Sequence, residues 1–569
     1  MGEAIIEFEN FTFQYHAQAE PTLRGISLRV RKGEKILIAG PSGCGKSTLA
    51  CCINGLIPFS YQGEITGSLK IAGKKTRNLS LFDISKHVGT VLQDTDAQFV
   101  GLTVAEDIAF ALENDCVGSL ELHQRVHLAA KKVNIDGFLL HAPTELSGGQ
   151  KQRVSMAGVM VDDVDVFLFD EPLANLDPAT GKQAIELIDQ IAASTGAAVI
   201  IIEHRLEDVL HRHVDRIVLM SEGRIISDTS ADSLLSTNLL QNTGIREPLY
   251  ITALKYAGVE ITEEMHPWSI HEIRLDRKTS DQVRKWYRET QPAAERKKNN
   301  VLLQVNEIDF RYPNGRLALR KINAEIRRGE LIAIVGTNGA GKSTFAKILC
   351  GFEKQQHGEL FFEGNDLSEY SIKERADRIG YVLQDPNQMI SQIMIFDEIA
   401  LGMRARGIEE TEIKQKVDQT LKICGLWPFR NWPISALSYG QKKRVTIASI
   451  LVLEPEMIIL DEVTAGQDYR HYTDIMEFLS ELNRRGITIV MITHDMHLML
   501  EYAQRALVFD DGEIIADLPC ADLLTSDEII KRASLKETSL YELAVRCGIE
   551  NGRDFVQRFI DYEREICSR

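Results

Sequence analysis

The hydrophobic and polar positions of this chain form two similar series, in which short apolar runs alternate with helical stretches. The runs are rich in Ile, Val and Leu and lack regular polar alternation. They read KILIAG, DVFLFDE and AAVIIIEH in the first series, and LIAIVG, EMIILDE and TIVMITH in the second. Such runs are typical of strands buried on both faces of a mainly parallel sheet. The pattern therefore predicts two α/β domains, at residues 1–230 and 301–520.

Each predicted domain is followed by a segment of different character. In 231–300 the pattern predicts helix over 231–258 and then charged, irregular chain that ends in an exposed linker, QPAAERKKNN. The segment 521–569 contains KETSLYELAVRCGI, which echoes NTGIREPLYITALKYAGV in the first segment. We therefore expect that the duplicated unit includes a short helical C-terminal extension.

Composition narrows the range of functions. The net charge of −17 disfavours a nucleic-acid partner, because such binders carry basic surfaces. The nine cysteines include no Cys-x-x-Cys pair, which fits neither a zinc site nor a disulfide framework and favours a reducing compartment. Apolar runs such as 197–202 are far shorter than a membrane helix needs. Any contact with a membrane is therefore expected to pass through another protein.

The strongest signal is a series of polar residues that occurs twice in the same order, with separations of 290 to 296 residues. The repeated pairs are Lys46 and Lys342, Gln93 and Gln384, Ser147 and Ser438, Glu171 and Glu462, and His204 and His494. Every member is a group that phosphoryl transfer uses. The series predicts two nucleotide-binding domains in one chain.

Two glycine-rich loops fit the phosphate-loop pattern in its strand–loop–helix context. Their backbone amides and the following helix N-terminus suit a phosphate, Lys46 and Lys342 would reach the β- and γ-phosphates, and Ser47 and Ser343 would ligate Mg²⁺. The residues expected to bind ATP are Gly40, Ser42, Gly43, Gly45, Lys46, Ser47 and Thr48 in the first loop, and Gly336, Asn338, Gly339, Gly341, Lys342, Ser343 and Thr344 in the second.

Acidic, histidine and glutamine residues stand at the ends of the apolar runs. The first acid of each pair is placed to hold Mg²⁺, and the glutamate after it to polarise the attacking water. The histidines are assigned to the γ-phosphate, and the glutamines to Mg²⁺ and water positioning. These candidates are Asp170, Glu171, His204 and Gln93 in the first domain, and Asp461, Glu462, His494 and Gln384 in the second.

A pentapeptide precedes a helical run in each domain, LSGGQ at 146–150 and LSYGQ at 437–441. Its serine fits a helix N-cap whose exposed amides could take an anion, although an ordinary capped helix would look the same. The distance of 24 residues to the following glutamate, identical in both domains, favours a functional role. The candidate residues are Ser147, Gly149 and Gln150, and Ser438, Gly440 and Gln441.

Together these motifs resemble the ATP-binding cassette (ABC) ATPase family over about 440 residues. The resemblance implies two P-loop NTPase domains, each with a RecA-like, mainly parallel sheet, an antiparallel β part and a helical subdomain. It adds Tyr15 and Tyr312 as adenine-stacking residues. Two positions depart from the family pattern. Tyr439 lies in the second pentapeptide, which corresponds to the family's signature, and Gln467 lies in the second D-loop, residues 465–468.

The family also implies ATP hydrolysis in a nucleotide sandwich, where the phosphate loop of one half meets the signature of the other. One composite site would then combine Lys46 and Glu171 with Ser438, and the other would combine Lys342 and Glu462 with Ser147. Tyr439 would touch the nucleotide held by Lys46, so that site is expected to be slower.

The segments after Gln93 and Gln384 resemble those of energy-coupling-factor (ECF) importer ATPases, which implies a peripheral place on the cytoplasmic face of the membrane. The expected partners are an integral T component and a separate S component that selects a vitamin, a vitamin precursor such as a thiamine precursor, or a metal ion. The alternative is an ABC-F ribosome-associated translation factor. The near balance of 11 basic and 9 acidic residues in 246–300 disfavours it, because a ribosome-binding hairpin is expected to be basic.

Overall fold

The computed structural model describes residues 4–92, 98–174, 176–291, 299–462 and 469–567. The chain divides into two compact units, the first built mainly from Met1–Trp286 and the second from most of the residues that follow. Each unit contains one four-stranded and one six-stranded sheet, and the strand order is the same in both units. The two α/β domains that the hydrophobic pattern predicts are therefore present as α/β folds.

The strands of the first unit form an antiparallel sheet in the order β2-β1-β4-β5 and a mainly parallel sheet in the order β10-β9-β3-β8-β7-β6. In the second sheet only β10 is antiparallel to its neighbour. The strands are β1 Ala4–Tyr15, β2 Leu23–Arg31, β3 Lys35–Ala39, β4 Gly63–Ile71, β5 Lys74–Lys75, β6 Val88–Val91, β7 Val166–Asp170, β8 Ala198–Ile202, β9 Arg216–Ser221 and β10 Arg224–Thr229.

The second unit repeats this arrangement, with an antiparallel sheet in the order β12-β11-β14-β15 and a mainly parallel one in the order β16-β17-β18-β13-β19-β20. Its strands are β11 Val301–Arg311, β12 Leu317–Arg327, β13 Leu331–Gly336, β14 His357–Phe362, β15 Asn365–Asp366, β16 Ile379–Val382, β17 Met457–Asp461, β18 Thr488–Ile492, β19 Arg505–Asp510 and β20 Glu513–Pro519.

Helices pack against the parallel sheets, one face of which also packs against the antiparallel sheet of the same unit. Those in residues 4–291 are α1 Lys46–Ile53, α2 Leu56–Phe59, α3 Leu81–Ser85, α4 Val104–Asn114, α5 Ser119–Lys132, α6 Gly148–Met160, α7 Pro178–Thr195, α8 Leu206–Val209, α9 Ala231–Leu235, α10 Leu239–Asn242, α11 Leu249–Tyr256 and α12 Arg277–Glu289. Those in residues 299–567 are α13 Lys342–Cys350, α14 Ile372–Ala376, α15 Ile395–Ala405, α16 Glu410–Ile423, α17 Tyr439–Leu451, α18 Tyr469–Arg484, α19 Met496–Tyr502, α20 Cys520–Leu523, α21 Asp527–Arg532, α22 Ser539–Arg546 and α23 Gly552–Cys567.

The central strands β3, β7 and β8, and their counterparts β13, β17 and β18, are almost entirely buried. Their side chains enter clusters on both sides of the sheet. Ile36, Ile38 and Leu168 belong to the cluster shared with the antiparallel sheet, and Leu37 and Phe169 to the one beneath the helices. This two-sided burial explains the uninterrupted apolar runs. Because these strands run parallel, their carboxyl ends lie at one edge of each sheet.

One expectation for the segment after the first series is wrong. The chain beyond residue 258 is not irregular throughout, because α12 occupies Arg277–Glu289. Its buried residues Thr279, Ser280, Val283 and Trp286 follow a helical spacing, and the remaining positions are mostly charged or polar. The many charged residues of this segment therefore made an amphipathic helix look like irregular chain in the sequence. The QPAAERKKNN linker lies mostly outside the described residues.

No helix in the part of the chain that the structure describes is long and apolar enough to cross a membrane.

Candidate active site

Each phosphate loop connects a buried central strand to a helix whose first residue is the loop lysine. Gly45 and Gly341 cap these helices with φ angles of 102°, in a region that a side chain would strain. The Lys46 Nζ donates to the carbonyls of Gly40 (2.7 Å) and Pro41 (3.0 Å). Lys342 makes the equivalent bonds of 3.0 and 2.8 Å. Both ammonium groups are thus held inside loops that follow the strand edge.

The remaining loop residues lie where the sequence pattern expects them. At the loop tips and first helical turns, Ser42, Gly43, Ser47, Asn338, Gly339 and Ser343 are exposed. The Tyr15 hydroxyl lies 3.3 Å from the Thr48 hydroxyl, and the Tyr312 hydroxyl lies 2.9 Å from that of Thr344. The two candidate adenine-stacking rings are therefore tied to the first helical turn after their own loops.

Two acids of the first copy lie at the end of β7, Asp170 as its last residue and Glu171 directly after it. Burial raises the pKa of Asp170 to about 6, against the opposing charge of Lys46. Burial and the charge of Glu203 raise the pKa of Glu171 to about 7. The Nδ1 atom of His204 lies 3.9 Å from a Glu171 carboxylate oxygen. The first copy therefore gathers acidic groups with little compensating charge.

The same acids in the second copy have closer partners. Glu462 lies 3.0 Å from the His494 Nε2 and accepts a 3.0 Å hydrogen bond from the Gln384 amide. Burial opposes a low pKa at Glu462, but its hydrogen bond with His494 and the nearby positive charges outweigh burial, so its pKa is lowered. The structure thus brings Gln384, Glu462 and His494 together as the motif series expects.

The metal-binding expectation can be tested on the acid pair. One carboxylate oxygen of Asp170, Oδ1, is buried and has no hydrogen-bond partner among the described residues. The nearby Ser47 side chain opposes the effect of burial on the pKa of Asp170, and the Ser343 hydroxyl donates to Asp461 over 3.4 Å. A serine hydroxyl beside a carboxylate oxygen is the donor set that Mg²⁺ takes in P-loop enzymes. The side chains present therefore fit a magnesium ion.

The two signature serines cap the helices that follow them. The Ser147 hydroxyl accepts from the Gln150 amide (3.4 Å), while the Gln150 side chain accepts from the Ser147 amide (2.8 Å). Ser438 and Gln441 repeat this capping box at 3.3 and 2.9 Å. Tyr439 is 43% exposed, and open space surrounds the equivalent position, Gly148. The fold can therefore accept the tyrosine.

Two expected positions lie outside the described residues, Gln93 and Gln467.

Three further residues at the centres were not expected from sequence. Glu203 is a fully buried carboxylate beside His204, the Tyr381 hydroxyl donates to Asp461 over 2.7 Å, and Lys443 is buried with its ammonium 5.2 Å from the Tyr439 ring centre. In the other copy these positions hold Thr493, Thr90 and Gln152. Their differences between the duplicated copies are the only sequence signal that marks them.

Comparison with known proteins agrees with this arrangement. The family model described as ABC transporter matches residues 23–174 and 319–465, and a model described as ATP-binding cassette cobalt transporter matches 237–310. A protein of Clostridium perfringens named as an ABC transporter ATP-binding protein is 58% identical over 562 residues, covering 99% of both chains. A protein of the same name from Enterococcus faecalis is 56% identical over 568 residues, covering 100% of both chains.

A solved structure of cbiO1 from Clostridium perfringens, described as part of the ABC transporter complex cbiONQ, is 35% identical. It covers 41% of this chain and 94% of its own, with a TM-score of 0.39. The matches do not support the alternative of a ribosome-associated translation factor. Two phosphate loops at the edges of parallel sheets, two matches to one cassette model and full-length relatives lead to one conclusion: the chain belongs to the ABC transporter ATP-binding family and is an ATPase with duplicated cassettes.

Proposed function

We propose that this ATPase is the energy-coupling subunit of an ECF-type importer. The observation that carries the proposal is a set of exposed apolar residues, repeated in the segment that follows the candidate glutamine of each copy along the sequence. In the first copy Leu102 and Leu140 are 82% and 89% exposed, and Phe110 on α4 is also exposed. Hydrogen bonds from the amides of Val104 and Ala105 to the 139–141 segment hold these side chains in one region.

The second copy carries the same feature. Ile393 is 78% exposed and Trp432 is 46% exposed, and Leu401 on α15 occupies the position of Phe110. The Ile434 amide donates to the Ile393 carbonyl over 2.8 Å, and Met394 and Pro433 form an isolated antiparallel bridge. Exposed apolar patches indicate interaction sites. Their repetition supports docking of two similar helices from an integral T component.

The residue roles follow from this proposal. Lys46 and Lys342 bind the β- and γ-phosphates, with the other loop residues, Tyr15 and Tyr312. Mg²⁺ would offset phosphate charge when bound, and it would be held by Ser47, Asp170 and Gln93 at one centre and by Ser343, Asp461 and Gln384 at the other. Glu171 and Glu462 orient the attacking water, and His204 and His494 contact the γ-phosphate. The family resemblance supports composite sites that Ser438 and Ser147 complete.

The domain and partner assignments belong to the same proposal. The cassettes occupy 1–230 and 301–520, with helical extensions at 231–300 and 521–569. The chain acts at the cytoplasmic face of the membrane and has no nucleic-acid partner. A separate S component selects the cargo, a vitamin, a vitamin precursor or a metal ion. The description of the model that matches 237–310, a cobalt transporter cassette, favours the metal ion.

Affinity purification of the full-length chain from membranes tests the proposal. Integral membrane subunits should co-purify with the wild type, and the Leu102→Glu, Ile393→Glu double variant should lose them because charge replaces both apolar contacts. Ile226→Glu, at an equally apolar exposed position on β10 outside these two sets, is the matched control and should retain them. Recovery of ribosomal proteins in place of membrane subunits would contradict the proposal.

A further inference from the structure

A buried carboxylate, that of Glu203, directly precedes His204, the first of the two histidines assigned to the γ-phosphate. Glu203 follows β8 and has no exposed surface. Its Oε1 accepts from the amides of His204 (2.8 Å) and Arg205 (3.2 Å), and its Oε2 accepts from the amide of Leu173 (3.4 Å). These charge-assisted bonds compensate for lost hydration and fix the direction of the carboxylate.

This carboxylate also faces the imidazole of His204. The Nδ1 atom lies 3.2 Å from the Glu203 Oε1, closer than the 3.9 Å to Glu171. An ionised carboxylate can only accept hydrogen bonds, whereas each imidazole nitrogen can donate or accept. A carboxylate at this distance favours the proton on Nδ1, and Nε2 is then the nitrogen expected to face the γ-phosphate.

The second copy has no such carboxylate. Thr493 replaces Glu203, and its hydroxyl accepts a 3.0 Å bond from the Asp495 amide. His494 instead directs Nε2 to Glu462 at 3.0 Å. The two histidines thus present opposite nitrogens to their neighbouring carboxylates, and the difference follows from one buried residue.

We propose that Glu203 is a positioning residue that fixes the proton of His204 on Nδ1, a role absent from the second copy. The inference rests on the proposed contact between His204 and the γ-phosphate. A phosphate oxygen only accepts, so a bond from Nε2 needs a second proton on the ring. A γ-phosphate contact through Nε2 therefore requires a doubly protonated His204 at the first centre, whereas no carboxylate at the position of Glu203 holds a proton on Nδ1 of His494.

Nitrogen NMR of the full chain labelled with ¹⁵N-histidine tests the proton position. The His204 signals are assigned by their loss in His204→Ala. The expected result is a protonated Nδ1 in the wild type and loss of this fixed state in Glu203→Thr, which copies the second centre. Glu207→Gln, which removes a carboxylate from the same segment, should leave the His204 signals unchanged. A wild-type His204 protonated only on Nε2 would overturn the inference without any variant.

Turnover provides the functional half of the test, in a Glu462→Gln background that leaves the first centre as the active one. Glu203→Thr should lower the rate about tenfold relative to Glu207→Gln, the size of effect known for outer partners of active-site ligands. Unchanged turnover together with unchanged His204 signals would overturn the positioning role. If Nδ1 is protonated as expected but His204→Ala turns over normally, the proposed phosphate contact fails and the proton assignment stands.

Discussion

The two glutamates that follow the ends of β7 and β17 occupy equivalent positions in very different surroundings. Burial, together with the nearby carboxylate of Glu203, raises the pKa of Glu171 to about 7. Glu462 has His494 and Gln384 as hydrogen-bond partners and Lys443 nearby, and its pKa is lowered. Duplication therefore preserved the motif residues while their neighbours diverged. The chemistry of each centre depends on those neighbours as much as on the motifs.

The largest effect is expected at the phosphate loops. Lys46→Ala and Lys342→Ala should each weaken ATP binding at their own centre by roughly 10- to 100-fold, because a hydrogen bond to a charged group contributes about 1.5–3 kcal/mol. Binding of a fluorescent ATP analogue measures the change. Lys347→Ala, an exposed lysine on the same helix as Lys342, should bind like the wild type. Equal losses in all three variants would contradict the loop assignment.

The next largest effect is expected at the second metal position. Tyr381→Phe removes the hydroxyl that donates to Asp461 over 2.7 Å. The equivalent residue of the first copy is Thr90, whose shorter side chain cannot reach as far. Loss of such an outer partner weakens metal binding about tenfold or more. In a Glu171→Gln background, the Mg²⁺ concentration for half-maximal turnover should rise by that factor. No shift in the Mg²⁺ requirement would exclude this role for Tyr381.

A smaller effect is expected from the buried lysine. Burial lowers the pKa of Lys443 to about 8, and the charge of Glu462 opposes this shift. Lys443→Gln installs the residue of the first copy and removes a charge that favours ionised Glu462. Turnover of the second centre in a Glu171→Gln background should fall about threefold, and Gln152→Lys should not lower it. An unchanged turnover rate in Lys443→Gln would show that Lys443 does not influence the catalytic glutamate, Glu462.

The smallest expected effect concerns the second signature. Tyr439→Gly restores the residue of the first copy, at a position where open space surrounds Gly148. If Tyr439 slows the centre that holds nucleotide at Lys46, turnover in a Glu462→Gln background should rise about twofold, a change of about 0.4 kcal/mol in the activation free energy. A fall in turnover would show that the tyrosine contributes favourably to that centre.

Sequence reasoning succeeded where physical requirements are local. Buried strands need unbroken apolar runs, and a phosphate loop needs glycine, lysine and a following helix, so β3, β13 and both loops could be predicted. The N-cap serines Ser147 and Ser438 could be predicted in the same way, and each begins its helix with a capping box.

Residues that act through partners distant in sequence could not be predicted. Glu203 ends an apolar run, and nothing nearby in sequence indicates the Leu173 amide 30 residues away that helps to bury it. The sequence does not show that Lys443 is buried, because it lies among other charged residues near the start of α17. Its burial against Tyr439 is visible only in the fold. Helix α12 was missed because its charged positions outnumber its buried ones.

The central claim is that the chain holds two complete but unequal hydrolytic centres. The most direct measurement is the steady-state ATPase rate of Glu171→Gln, Glu462→Gln and the double variant, in the same preparation of the full-length chain. The account predicts that each single variant is slower than the wild type with a different residual rate, and that the double variant loses at least about 100-fold. Wild-type rates in both single variants, or substantial turnover in the double variant, would contradict it.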